Sequence, residues 1–373
     1  MRVLQVIETF GPGGAETVVR HVAQGLRQAG HEAVTVVGRA GWLTEALAHD
    51  GLPWMVAPPS ARGFDLPWLR ALRAAVRTHR PHVVHAHLFG GAVYAALAAR
   101  LERVPVVVTL HGAHDLPPRG ASLALKVALL RWTGARLTTV SAALADEAAA
   151  WLGWPRAAMA VTPNGVPAPS ASAPARGDVQ GAGADGAPRR LVALGNIRQP
   201  KDYPMLLEAV ARLRDWPAPL PPFVVEVAGA PDGIGIYEGL LAQRAALGVE
   251  PLVRFAGFVD DAPGFLAGAH GFVLSSQREG FSLATVEAML AGVPVVATRC
   301  GGPEALVEDG VTGTLVPPGD PAALAEALAA LLQDPAAAAV RASAARTTAR
   351  AHHTAEAMVG RYLALYAALA PAG

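Results

Sequence analysis

Residues 271–304 read GFVLSSQREGFSLATVEAMLAGVPVVATRCGGPE. Phe272, Val273 and Leu274 form a short apolar run, and polar Ser275 and Ser276 follow it. A buried parallel strand has this pattern as it reaches the rim of its sheet. Leu283 to Ala291 has helical spacing with Ser282 at the N-cap, Gly292 ends the helix, and Val293 to Ala297 is the next strand. The order strand, loop, helix, strand puts the loop at the carboxyl edge of a sheet, where open α/β folds bind ligands.

Two carboxylates flank that loop. Glu279 lies in it and Glu287 lies on the helix, with Gly280, Phe281 and Ser282 opening the helix N-terminus between them. Backbone N–H groups and the positive end of the helix dipole suit a phosphate there. Two acids at the same place repel a bare phosphate but accept hydrogen bonds from hydroxyls. Amides for phosphate and acids for hydroxyls together describe a nucleotide sugar. Taken as a lone pair of acids, Glu279 and Glu287 read instead as solvated surface residues, the commonest fate of Glu.

The surrounding residues go further. The run E-G-F-S-L-A-T-V-E, then A-G-V-P-V-V-A-T, then G-G-P-E, closely resembles the donor-site signature of retaining glycosyltransferases of family 4. The resemblance covers nearly the whole chain and is strongest from Val253 to Pro318. It implies an α/β chain of the GT-B fold: two Rossmann-like domains with mainly parallel sheets facing a cleft. It makes Glu279 and Glu287 the family's E-x7-E pair and places Gly280, Phe281, Ser282 and Leu283 on the donor. It further implies transfer of a hexosyl or N-acetylhexosaminyl group, with retention, from a nucleotide-sugar donor to a glycan, lipid-linked or small glycoside acceptor. Bacterial envelope polysaccharide or glycoconjugate synthesis is the setting this suggests.

Composition is compatible with that picture. The 373 residues suffice for two domains with substantial cores, and 52% apolar with 16% charged residues describes a folded chain. No apolar run reaches bilayer-spanning length, and the N-terminus opens directly as a strand rather than as a signal peptide. Cys300 is the only cysteine, so no disulfide forms within the chain; a cytoplasmic location is expected. The net charge of +1 hides an asymmetry: residues 1–165 carry 16 Lys and Arg against 10 Asp and Glu. No nucleic-acid motif accompanies the excess. An anionic lipid or diphosphate partner suits a basic half, and so does an ordinary Arg-rich surface.

Along the chain, strands and helices alternate. Gly11-Pro12-Gly13-Gly14-Ala15-Glu16 follows the first strand; with Glu at 16 the dinucleotide fingerprint fails, but backbone there can still approach a ligand. The resemblance implies that this loop borders the donor diphosphate and the acceptor, with Gly13 and Gly14 as the residues that do so. Arg70, Arg73, Arg77 and Arg80 recur on roughly one helix face, a stripe that fits peripheral contact with an anionic membrane or simply a solvated surface. His85 and His87 alternate on a strand, with no third metal ligand nearby in sequence. His111 ends a strand at the carboxyl edge, and its Thr-x-His-Gly context resembles the family's sugar-facing histidine.

Residues 167–188 are rich in Pro, Ala, Ser and Gly and read as a linker. They separate an acceptor-side domain, 1–166, from a nucleotide-sugar-binding domain, 189–352. A last helix within 353–373 is expected to pack back on the first domain, as in the resembled fold. After the strand at Leu191 to Leu194, a loop carries Arg198 and Lys201, two cations suited to a diphosphate. Lys201 matches the family's lysine, whereas Asn196 stands where its arginine is usual, which leaves Arg198 as the candidate replacement. Phe258 lies in the segment resembling the family's base-binding loop. Asp260-Asp261 is not an Asp-x-Asp motif, so no metal is demanded and no cofactor beyond the donor is expected. The resemblance implies catalytic roles for Glu279, Lys201 and His111, with Arg198 as the candidate replacement for the family's arginine. The competing readings are a sugar-nucleotide epimerase, a phosphorylase-like enzyme and a non-catalytic nucleotide-sugar or glycan binder.

Overall fold

The computed structural model describes residues 1–59, 65–168, 187–231 and 233–369. The linker placed at 167–188 lies outside them from 169 to 186. The chain forms two compact units: Met1–Pro167 together with the segment from His353 onward, and Ala168–His352.

In the first unit the chain runs β1 (Arg2–Ile7), α1 (Gly14–Gln28), β2 (Glu32–Val37), α2 (Trp42–His49), β3 (Trp54–Val56), α3 (Leu66–His79), β4 (Val83–His87), α4 (Phe89–Leu101), β5 (Val106–Leu110), α5 (Ala121–Thr133), β6 (Arg136–Thr139), α6 (Ala142–Leu152) and β7 (Ala160–Val161). Its seven strands order as β3-β2-β1-β4-β5-β6-β7, and every pairing is parallel. A parallel sheet is covered on both faces, so its central strands are buried throughout rather than alternating between core and solvent. β4 and β5 are buried at every residue.

The second unit runs β8 (Arg189–Leu194), α7 (Tyr203–Arg214), β9 (Phe223–Ala228), α8 (Ile236–Ala246), β10 (Val253–Gly257), α9 (Ala262–Leu266), β11 (Gly271–Leu274), α10 (Leu283–Leu290), β12 (Val295–Thr298), β13 (Thr314–Val316), α11 (Pro321–Gln333) and α12 (Pro335–His352). Six strands order as β10-β9-β8-β11-β12-β13, again all parallel. The deciding stretch is therefore a βαβ unit, with one shift: Val293 N–H closes back on the Ala288 carbonyl at 2.9 Å, so the strand begins at Val295, not Val293.

α13 (Ala355–Leu369) returns to the first unit. It buries Met358, Val359, Tyr362 and Tyr366 there. Tyr366 OH bonds His85 Nδ1 at 2.6 Å, and His85 Nε2 bonds Thr109 Oγ1 at 2.7 Å. These polar groups are wholly buried and paired, as buried polar groups must be. His85 is thus a structural histidine: burial drives its pKa down to about 3.

Each sheet has a topological switch point where strand order reverses: between β1 and β4 in the first, and between β8 and β11 in the second. Open α/β sheets bind ligands outside the carboxyl ends of the strands at these points. Of five non-glycine residues with positive φ among the described residues, three lie in the segments that follow β4, β8 and β11, at Leu88, Asp202 and Ser282. Backbone strain of this kind clusters at functional sites.

No single helix among the described residues is long and apolar enough to cross a membrane, although the bent pair α11–α12 passes that test jointly.

Candidate active site

In the second unit the switch point gathers residues far apart in sequence. The turn after β8 carries Arg198 and Lys201, and the loop after β11 carries Ser275 to Glu279. Lys201 Nζ donates to Glu279 Oε1 at 2.6 Å, and both side chains are almost out of solvent. Ser276 Oγ donates to the same oxygen at 2.7 Å, and Ser275 Oγ binds the Lys201 carbonyl at 2.8 Å. Burial opposes the charge on Glu279, but the Lys201 ammonium and the Ser276 hydroxyl outweigh it and hold the carboxyl below its usual range. Gly195 makes room for this pair: a Cβ there would sit 2.8 Å from Lys201 Cε. Tyr203 OH donates to the Gly195 carbonyl at 2.7 Å and fixes the same turn.

Arg198 opens the turn, and its charge reaches both Glu279 and Tyr203. Its Nε is buried without a hydrogen-bond partner among the described residues. Asn196, at the position where the resembled family usually has arginine, instead accepts from Ala230 N–H at 3.3 Å.

The loop from Glu279 into α10 is tied to the β12 side. Glu279 N–H donates to the Cys300 carbonyl at 2.9 Å, and a Cβ on Gly302 would fall 2.6 Å from the backbone of Phe281. Ser282 occupies the N-cap position but does not cap: it sits at φ 80° and its hydroxyl bonds Thr285 Oγ1 at 2.9 Å. This corrects the expected cap; the side chain closes on the next turn instead of a backbone N–H. The Phe281 side chain is buried, whereas Gly280 and Leu283 on either side of the turn are partly exposed. Glu287 is one turn into α10, and burial alone pushes its pKa up to about 7. Phe258, after β10, is an exposed ring. No group of three or more metal-ligating side chains gathers among the described residues.

In the first unit, α1 starts at Gly14 with Gly13 extended before it. Glu16 in the first turn is buried, its carboxylate packed against Gly13. His111 follows β5, and Asp115 accepts from the N–H groups of His111 and Gly112 at 2.8 and 2.9 Å. Sequence reasoning missed Glu8, Gln5, Ser276 and Gln277. Glu8 follows β1 at the switch point; burial raises its pKa despite the Lys126 charge and a Gly91 N–H bond. Its position just past a strand end was the only available signal. Gln277 Nε2 bonds Asp202 Oδ2 at 3.1 Å and stitches the two loops together.

The expected arginine stripe is altered. Glu102 takes Arg73 at 2.8 Å and Arg77 at 3.0 Å, so one carboxylate offsets two of the four charges.

Known proteins are similar to this chain in sequence and fold. A family model described as "Glycosyltransferase Family 4" matches residues 12–168, and one described as "Glycosyl transferases group 1" matches residues 188–334. A glycogen synthase of Mycobacterium tuberculosis is 30% identical over 383 residues, covering 93% of this chain and 89% of its own. The chain is a family 4, group 1 glycosyltransferase.

A D-inositol 3-phosphate glycosyltransferase of Streptomyces avermitilis is 40% identical over 147 residues, 38% of this chain and 32% of its own. Among solved structures, a glycosyltransferase from Rickettsia africae has a TM-score of 0.84 at 18% identity, over 100% of this chain and 99% of its own. An Anabaena protein solved in complex with UDP and glucose has a TM-score of 0.83 at 25% identity, over 99% and 100%. The glycosyltransferase thus has the GT-B fold, with two parallel-sheet α/β units.

Proposed function

We propose that this glycosyltransferase moves a hexosyl or N-acetylhexosaminyl group from a nucleotide sugar to a hydroxyl-bearing acceptor, with retention and without a metal. The observation that carries the reading is the Lys201–Glu279 pair at the second sheet's switch point. A diphosphate entering there meets Lys201, Arg198 and the amides of residues 280–282. These stabilise the negative charge that grows on the leaving diphosphate as the glycosidic bond breaks. Glu279, held as a carboxylate, accepts from sugar hydroxyls, and Glu287 accepts from the ribose. Glu279 is engaged by Lys201 and Ser276 rather than poised as a nucleophile. The acceptor oxygen then attacks on the face from which the diphosphate departs and gives its proton to a diphosphate oxygen. His111, Gly13 and Gly14 flank the transferred sugar and diphosphate, and Phe258 the base.

The Anabaena neighbour, solved with UDP and with UDP and glucose, favours a uridine nucleotide and a glucose-like sugar. The glycogen synthase relative favours a glycan acceptor. A lipid-linked glycan in envelope or glycoconjugate synthesis also fits, at the cytoplasmic face of a membrane. For that contact α5 is better suited than the half-neutralised arginine stripe. Leu125 and Trp132 are exposed on one of its faces, Arg100 stacks 5.3 Å over Trp132, and α5 carries no acid. An exposed Trp with neighbouring cations suits an anionic headgroup layer.

The test is a thermal-shift screen against UDP-glucose, UDP-N-acetylglucosamine and GDP-mannose, with EDTA present. A ligand that binds only the folded state raises the melting temperature. One donor stabilising the wild type, and failing with Lys201→Ala and Glu287→Ala, is the expected result. Proton NMR of the product's anomeric coupling then reads retention. A shift with no donor, or one that needs a divalent ion, refutes the reading.

A further inference from the structure

A chain of hydrogen bonds in the first unit determines which nitrogen of His111 carries a proton. Gln5 Nε2 donates to the Val19 carbonyl at 3.2 Å, an oxygen that can only accept. The Gln5 amide is therefore turned so that Oε1 faces His87 Nε2, at 3.2 Å. Oε1 is also an acceptor only, so His87 Nε2 carries the proton. A neutral imidazole has one N–H, which leaves His87 Nδ1 bare. That atom lies 3.0 Å from His111 Nε2, which must donate to it. His111 Nδ1 is left as a bare lone pair. It is buried and has no hydrogen-bond partner among the described residues.

Both rings are neutral, because burial holds His87 well below the usual imidazole range and His111 at about 3. The register explains why the chain exists. Gln5 of β1 pairs with His85 of β4, and His87 pairs with Thr109 of β5, so Gln5, His87 and His111 lie side by side across the strands of the switch point.

We propose that Gln5 and His87 are positioning residues: they hold His111 in its Nε2–H tautomer, so that Nδ1 accepts a hydrogen bond from a hydroxyl of the transferred sugar and disfavours a carboxylate at the same place. A buried acceptor without a donor is costly, and a sugar hydroxyl satisfies it. His111 is partly exposed although Nδ1 itself is covered in the unliganded structure, and hydrogen bonds in unliganded sites commonly form or tighten only when substrate arrives. The specificity follows from the tautomer. A hydroxyl can donate to Nδ1; an ionised carboxylate cannot. A hexose is therefore preferred to the matching uronic acid. The second half of this inference rests on His111 facing the sugar; the tautomer itself does not.

The experiment is two-bond proton–nitrogen NMR of the uniformly 15N-labelled full chain near neutral pH, which reports the tautomer of each histidine. His111→Asn and His87→Asn identify the two signals. In the wild type, His111 is expected as Nε2–H with an unprotonated Nδ1. Gln5→Met removes the acceptor that orients His87 and is expected to admit the Nδ1–H form of His111. An unchanged His111 tautomer in a folded Gln5→Met variant, or a wild-type His111 protonated at Nδ1, overturns the relay, and the wild-type measurement stands even if the variant does not fold. Titration then separates the sugar contact from the relay. UDP-glucose should shift the Nδ1 signal, whereas UDP, lacking the sugar, should leave it in place. Gln5→Met should lower kcat/KM for UDP-glucose by about tenfold while leaving UDP binding unchanged. A shift with both ligands or neither overturns the sugar contact and leaves the donor-site reading to its own thermal-shift test.

Discussion

Donor affinity should depend on pH through Glu287. Burial, with no partner charge to offset it, raises this carboxyl to about 7 from a reference of 4.5. A folded pKa raised in this way means the native protein favours the protonated acid. The stability associated with it is present below about pH 4.5 and declines as pH rises through about 7. A bound ribose reverses the preference, because its hydroxyls donate to the carboxylate and favour the charged form. If binding returns the pKa to its reference value, linkage makes affinity near pH 5.5 roughly 30-fold weaker than near pH 8.5. That is about 2 kcal/mol of binding free energy. The neighbouring groups do not compete for this window: Glu279 titrates below its usual range, and the Cys300 thiol is pushed up to about 12. The diphosphate of a nucleotide sugar is a diester and stays ionised throughout. Titration calorimetry with UDP-glucose across this range, in two buffers of different ionisation enthalpy, reads both the affinity and the protons released. The Glu287→Gln variant should bind more weakly with a flat profile. A flat wild-type profile, or a slope that survives in Glu287→Gln, would refute the assignment of Glu287 to the ribose.

Lys201→Ala should lose about 3 kcal/mol of transition-state stabilisation in kcat/KM. It should also lower the melting temperature by leaving Glu279 buried without its partner, and adding Glu279→Gln should recover the melting temperature but not the turnover. Equal rescue of both would make the pair purely structural. Tyr366→Phe leaves His85 Nδ1 without its partner in the core and should cost about 1–3 kcal/mol in urea unfolding, with donor affinity unchanged. Leu125→Ser combined with Trp132→Ser should abolish co-sedimentation with phosphatidylglycerol vesicles while preserving the thermal shift with donor. Unchanged sedimentation would move the contact away from α5, and a change in oligomeric state instead would make that face an interface between copies.

The alternation of strands and helices was legible because it is written in short-range pattern, apolar runs and helical spacing, and the GT-B class because one contiguous motif resembles that of a known family. Val293 shows where such reading slips, since an amide that looks like part of a strand is used to close the preceding helix. Ser282 shows another limit, because a residue of ideal capping type is drawn into a strained backbone and bonds a side chain instead.

By itself the sequence determined which residues could do chemistry and on which strand ends they lie. Only the tertiary structure decided which of them meet. Lys201 finds Glu279 across 78 positions because β8 and β11 are neighbours, although two strands and the helices between them separate these in the chain. Glu102 neutralises Arg73 and Arg77 because α4 packs beside α3. Tyr366 reaches His85 across 281 positions because α13 returns to the first sheet. Strand order and register bring these atoms together, and a single chain's local spacing encodes neither, since long-range pairings are selected by burial over the whole fold.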